Sequence, residues 1–415
     1  MIREILLVSL LSSFLSAITL DKAIEIGLEN SPTLKISKNR VMISNEAKKI
    51  KKYSNFGKIS VKGSYTKYNI PRTLTPITPP IQPGIVTSQT IGTLGVAYDV
   101  VLFNGFSTSQ DIAIARLGED ASILSADISK DELVYNIQSL YLKILSLKSQ
   151  KKGAYSHKKA LSKLLKIVKV GVSAGKKAKI ELYRIKSDLE IAKMVIKELD
   201  SNIKILKATL ASVIGIKNVG KLHDIEFEKS GDLVKSDIKE LRRYKLAQIQ
   251  EKKGDKNIQK AKSSYFPVLS LNGYYGDNYG DGESDEIWQV GVGMNWLLFD
   301  FGVREARVAK AKIEKLQTIQ ELKKMELGLE KNLEEAKMKV EIAKAKVKSS
   351  YGELKFVKRT LKIEKVRYEE GVSTIYDLLF ALSRYQNSKA RAINSRYALQ
   401  SELYYYNYIN EIGNN

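Results

Sequence analysis

VLFNGFSTSQDIAIA (101–115) and LLFDFGVREARVAKA (297–311) decide the reading of this chain. Each is an apolar pair, a turn built from Asn or Asp and Gly, and the start of a long charged helix. They lie 196 residues apart, and so do Gly175 and Gly371, and Glu181 and Asp377. Corner and far break keep one spacing, so the pattern predicts a duplicated helix–strand–strand–helix–helix unit.

Working outward, residues 20–54 carry helical periodicity interrupted at Ser31-Pro32, with Thr19 or Asp21 as a cap. Residues 58–68 and 90–102 alternate with period two, as strands do. Between them NIPRTLTPITPPIQPG (69–84) holds five of the seven prolines and predicts an exposed loop. Helices are expected over 107–170 and 178–213. At 1.5 Å per residue the first is roughly 95 Å long. The first repeat is therefore 18–213, an irregular connector covers 214–235, and the second repeat is 236–415. In the second repeat a helix is expected over 236–262, strands over 266–276 and 287–298, and helices over 303–370 and 374–409. YFPVLSLNGYY (265–275) echoes NFGKISVKGSY (55–65), and GDNYGDGESDE (276–286) predicts an acidic, turn-rich loop.

The first 17 residues, MIREILLVSLLSSFLSA, predict a secretory signal peptide, with an apolar run of eleven residues that is too short to span a bilayer. No Cys is present, which excludes a disulfide framework, a thiolate metal site and lipoprotein acylation. Formal net charge is +23, from 69 Lys+Arg against 46 Asp+Glu. These charges spread over whole helices with few aromatics between them. That pattern is a solvated surface, unlike a base-stacking platform, and no nucleic-acid partner is expected.

The strand pattern points to lipid. Trp288, Val290, Val292, Met294, Trp296 and Leu298 share one face; Gln289, Gly291, Gly293 and Asn295 share the other. A lipid-facing barrel strand needs apolar outward and tolerates small polar inward residues. Trp288 and Trp296, read as lying near the strand ends, fit a membrane-interface belt. In lipid every strand edge must be paired, and four strands close no membrane barrel. Several chains must then share one; three would supply twelve strands, an even number like those of known barrels.

The whole chain after residue 17 resembles the TolC family of outer-membrane efflux ducts. TLDKAIEIGLENSPTLKISKNRV (19–41) is similar to that family's opening helix. The two corners, with Phe103, Asn104 and Gly105 in one and Phe299, Asp300 and Gly302 in the other, resemble its LF-D-G-G strand-to-helix turn. RYEEGVSTIYDLLFALSRYQ (367–386) is similar to its periplasmic tip. The resemblance implies a mainly α fold with membrane β structure: a homotrimer whose twelve-stranded β-barrel sits in outer-membrane lipid and continues as a long α-helical barrel into the periplasm. It implies a passive conduit without cofactor or enzymatic activity, working with a periplasmic adaptor and an inner-membrane pump in efflux or type I secretion. It further implies a gate at the tip. Asp377 falls on the first acidic position of that gate, and Phe380 replaces the second. Glu181 sits at a tip acid of the first repeat, with Tyr368 as its latch partner and Arg367 beside it. Gly171, Val172, Gly175, Gly371, Val372 and Ser373 form the tip turns and the expected adaptor contacts. A different reading, a periplasmic coiled-coil adaptor or scaffold without a pore, accounts for the helices but not for the strand pairs.

Three weaker signals carry no function. GVSAGKK (171–177) fails the phosphate-loop spacing, since its glycines are too close and no Ser/Thr follows the Lys. His157 and His223 lack ligand patterns. The acidic residues at 277–286 lack calcium-loop spacing.

Overall fold

The computed structural model describes residues 18–77, 80, 84–227, 233–234 and 236–412. The expected signal peptide, together with parts of the Pro-rich segment and the connector, lies outside them.

The fold is mainly helical with one antiparallel sheet. The elements are α1 (Leu20–Asn30), α2 (Pro32–Tyr53), β1 (Lys58–Thr73), β2 (Thr87–Asn104), α3 (Ser107–Ser173), α4 (Lys179–Ile214), α5 (Arg242–Lys262), β3 (Val268–Gly280), β4 (Glu283–Asn295), α6 (Val303–Glu369) and α7 (Ile375–Ile409). Helices α3 and α6 have 67 residues each. Thr19 caps α1, its hydroxyl accepting from Lys22 N at 3.2 Å. Pro32 opens α2, where its missing N–H costs nothing.

The chain divides into two compact units. One contains residues 38–125 and 243–326, and holds the sheet. Strand order is β1-β2-β3-β4. This leaves the outer edges of β1 and β4 without a partner strand among the described residues. Register places Val61, Val96, Tyr275 and Trp288 in one row across the sheet, and Ile59, Tyr98, Gly273 and Val290 in another. This face is apolar and open: Ile59 is 75%, Trp288 69% and Val290 69% exposed. The opposite face is polar. Asn272 Nδ2 donates to Asp99 Oδ1 at 2.7 Å, Lys62 reaches the other oxygen at 3.4 Å, and Ser64 and Thr93 share a hydrogen bond of 2.8 Å. Tyr274 lies over Gly95 and Gly276, where a Cβ would meet its hydroxyl at 2.6 and 2.7 Å.

Four expectations are corrected here. The acidic loop is far shorter, because β3 and β4 run on to a two-residue Asp281-Gly282 turn. Both residues have positive φ, 53° and 89°, as the tight hairpin turn requires. Asp277 pairs with Glu286 and Asn278 with Asp285 as ladder partners. In consequence Trp288 lies within β4 and not near its end. The ladder stops at Val268↔Asn295 instead of reaching 266 and 298, because Pro267 has no N–H to give. Finally, β1 continues to Thr73 through Pro71. An edge strand tolerates proline, and the register shifts between Lys67 and Arg72.

The other unit contains the described residues within 18–37, 126–242 and 327–412. Its largest apolar cluster gathers Ile137, Tyr141, Ile144, Leu145, Leu210 and Ile214. Tyr141 is fully buried, with its hydroxyl 2.7 Å from Ile18 O and 2.8 Å from His223 O. Ile18 also pairs with Leu222 in a parallel bridge. A second cluster, including Leu161, Leu164, Val168, Ile185, Tyr368, Ile375 and Leu378, lies where the two long helix hairpins turn.

Candidate functional site

The two helix-hairpin tips are built alike. In the first, Gly171 O accepts from Lys176 N at 2.8 Å and Lys177 N at 3.1 Å, and Val172 O accepts from Gly175 N at 3.1 Å. In the second, Arg367 O accepts from Val372 N at 2.8 Å and Ser373 N at 3.2 Å, and Tyr368 O accepts from Gly371 N at 3.2 Å. Every donor and acceptor is displaced by the same 196 residues. Gly175 and Gly371 hold φ of 68° and 77°. No atom stands within 4 Å of a Cβ at either, so backbone conformation alone selects glycine there.

The tips are joined by side chains. Tyr368, 9% exposed, donates its phenol proton to Glu181 Oε2 at 2.9 Å. Lys177 hydrogen-bonds to the same phenol oxygen, lies 3.6 Å from the Glu181 carboxylate, and sits over the Tyr368 ring at 4.0 Å. Burial, and then the Glu181 carboxylate, push the Tyr368 phenol above its usual range, so it keeps its proton. Lys177 is the member of this trio that sequence reading missed. Its spacing of four residues from Glu181 was the available signal.

Asp377 forms a capping box. Its Oδ2 accepts from Thr374 N at 3.0 Å and Thr374 Oγ1 at 2.6 Å, while Thr374 Oγ1 accepts from Asp377 N at 3.3 Å. These bonds, with the Arg367 charge adding to them, lower the Asp377 carboxyl below the usual range. Arg367 itself lies 3.3 Å from Glu364. Phe380 is 57% exposed and stacks on Tyr376, with centroids 6.4 Å apart and planes at 15°. The two rings border a cavity of about 530 Å³ among α3, α4 and α7, which His157, Arg184 and Asp188 also line. Val372 is exposed at the turn, and Ser373 Oγ is buried without a hydrogen bond.

The strand-to-helix corners repeat as closely. Asn104 Oδ1 accepts from Thr108 N at 3.2 Å, and Asp300 Oδ2 accepts from Arg304 N at 3.1 Å. Each side chain thus satisfies an orphan N–H in the first turn of its helix. Two successive residues take positive φ in each corner, Gly105-Phe106 in one and Phe301-Gly302 in the other. The order of glycine and phenylalanine is reversed. Phe103, Phe106 and Phe266 meet edge to face at 5.4–6.5 Å, and Phe299 meets Phe301 at 4.7 Å. Arg304, 6% exposed, donates to Leu297 O at 2.6 Å and Leu298 O at 2.9 Å, satisfying the chain after the ladder ends. Trp296 Nε1 donates to Tyr265 O at 3.1 Å.

No helix among the described residues is long and apolar enough to cross a membrane. No cluster of potential metal ligands occurs among them either.

Residues 243–404 match the family model described as outer membrane efflux protein. The nodulation protein T of Rhizobium leguminosarum bv. trifolii is 22% identical over 308 residues, covering 70% of this chain and 66% of that protein, so the match spans just under two thirds of its length. In fold, the chain is similar to the outer membrane protein VceC of Vibrio cholerae (TM-score 0.80, 13% identity, 94% of this chain and 95% of that one). It is also similar to the CmeC outer membrane channel of Campylobacter jejuni (TM-score 0.82, 16% identity, 94% and 85%). A third likeness is to the open state of the MtrE outer membrane channel of Neisseria gonorrhoeae (TM-score 0.77, 17% identity, 94% and 88%).

Proposed function

We propose that the chain is an outer-membrane efflux protein, the family whose model matches residues 243–404, and that it serves as the passive outer-membrane duct of a tripartite efflux or type I secretion system. Three chains each contribute the β1–β4 sheet to one twelve-stranded barrel. The long helices form a periplasmic conduit closed at its tips. A periplasmic adaptor docks near the Gly175 and Gly371 turns, and an inner-membrane pump supplies the energy.

One observation carries the reading: a four-stranded sheet with an exposed apolar face, a polar opposite face and two open edges. In water such a face is an aggregation hazard. In lipid it is required, and the open edges must pair with neighbouring copies. The strands have 13 to 18 residues, enough for the 9–11 that a tilted span needs. A pore-free scaffold leaves this face unexplained.

The Tyr368–Glu181–Lys177 trio is the latch that holds the tip closed in this reading, and Asp377 and Phe380 bring one acidic and one aromatic ring to the constriction. Purified protein added to a planar lipid bilayer tests the duct. Discrete, long-lived conductance steps are expected; a bilayer that stays sealed at saturating protein contradicts the reading.

A further inference from the structure

Away from the tips, Lys148, Lys151, Lys152 and Lys207 line a cavity of about 450 Å³ on the α3–α4 hairpin. The single acid lining it is Asp200, already engaged by Lys151 at 2.6 Å and Lys204 at 3.4 Å. Two of the remaining lining amines are held differently. Lys148 Nζ donates to Leu222 O at 3.1 Å, and Lys207 Nζ donates to Gly220 O at 2.6 Å. A lysine ordinarily keeps its ammonium in water while its stem packs. Here two ammonium groups are drawn in against one short segment, with neutral carbonyls as their bonded partners.

An ammonium carries three donors, and one carbonyl uses one of them. Lys207 and Lys221 repel Lys148, and Asp224 alone opposes them, so burial and like charge lower its affinity for its proton. Burial does the same to Lys207. Positive charge is thus concentrated and partly desolvated around a space large enough for a ligand.

We propose that this cavity is a binding site for a multivalent anion of the phosphate class, either free or carried on a lipid headgroup. The chemistry of the donors selects phosphate. All the cationic donors are lysines, which bind as compact point charges and, converging from several sides, suit the several oxygens of a multiply charged phosphate. The site is independent of the duct reading, since it lies on a helix hairpin that any assembly of this chain retains.

The test is calorimetric titration of the full chain in detergent with inorganic pyrophosphate and, separately, with short-chain phosphatidic acid, at constant ionic strength. Saturable binding is expected, weakened about tenfold or more by Lys148→Gln with Lys207→Gln, the scale of losing charge-assisted hydrogen bonds. If that variant fails to assemble because the 220–222 segment comes loose, Lys151→Gln with Lys152→Gln removes charge without touching those carbonyls, and should weaken binding in the same direction. Binding of both probes assigns the site to any phosphate group; binding of the lipid alone assigns it to headgroups. No binding of either probe, or unchanged affinity in the lysine variants, overturns the proposal.

Discussion

The phenol of Tyr368 donates to the carboxylate of Glu181 at 2.9 Å across 187 residues of sequence, and this bond ties the two helix-hairpin tips together. Tyr368→Phe keeps the ring in its apolar cluster and removes only the donor. A hydrogen bond to a charged group contributes about 2 kcal/mol, so closed-state leakage in bilayers should rise severalfold. Leakage equal to the parent contradicts the latch. Lys177→Met should act in the same direction, since it removes the cation that faces both partners.

The same bond has a pH signature. Because the folded phenol is raised above the unfolded value near 10, its contribution is fully present below that value and is lost only as pH rises through the folded one. Leakage should therefore be flat from neutrality to about pH 9, and rise beyond pH 10 in the parent but not in Tyr368→Phe. A rise between pH 7 and 9 contradicts this assignment.

At the start of α7 the sign is opposite. The Asp377 carboxyl is lowered by its bonds to Thr374, so its contribution is present above the unfolded value of about 3.8 and is lost as pH falls through the folded one. Hydrogen exchange at the first turn of α7 should accelerate below about pH 4 in the parent. In Thr374→Ala, which removes an N-cap worth about 1 kcal/mol, exchange should already be faster at neutral pH.

His157 adds a titration nearer neutrality. Burial lowers its pKa, and Asp188, which with Arg184 lines the same cavity, only partly opposes this. A neutral imidazole is favoured in the folded state, so stability falls as pH drops below about 6.5. Exchange in α4 around Asp188 should quicken between pH 7 and 5.5, and His157→Gln should abolish that dependence. Identical profiles in parent and variant contradict it.

The corner glycines should not be equivalent. Gly302 has φ of 90° and nothing within 4 Å of a Cβ, whereas Gly105 has φ of 63° and a Cβ there would lie 2.4 Å from Ser263 O. Gly302→Ala should cost about 1–2 kcal/mol from backbone strain alone. Gly105→Ala adds a backbone clash and should lower the yield of assembled protein much further. Equal yields contradict the packing described here.

Much of the fold was legible because the chain repeats itself. Strand alternation and helical periodicity mark the four strands and the long helices, and both Gly-containing corners are visible in the text of the sequence. What escaped was set by pairing in space. GDNYGDGESDE reads as a loop by composition, yet its Asp281-Gly282 is a two-residue hairpin turn, so its other acids become ladder residues and Trp288 moves into mid-strand. Thr374-x-x-Asp377 was available as a capping signature. The meeting of Lys177 with Tyr368, 191 residues away, was not, because only the packing of one hairpin on the other creates it.

The central claim is that the open sheets of several chains close one membrane barrel. Its most direct test is the mass of the particle extracted from the cell envelope in mild detergent, measured with the detergent contribution subtracted. The account predicts release by detergent only, at about three chains per particle, with chain mass 46.6 kDa before any signal peptide is removed. A monomer or dimer that washes out in buffer alone would mean that β1 and β4 never meet a neighbour in lipid, and would contradict it.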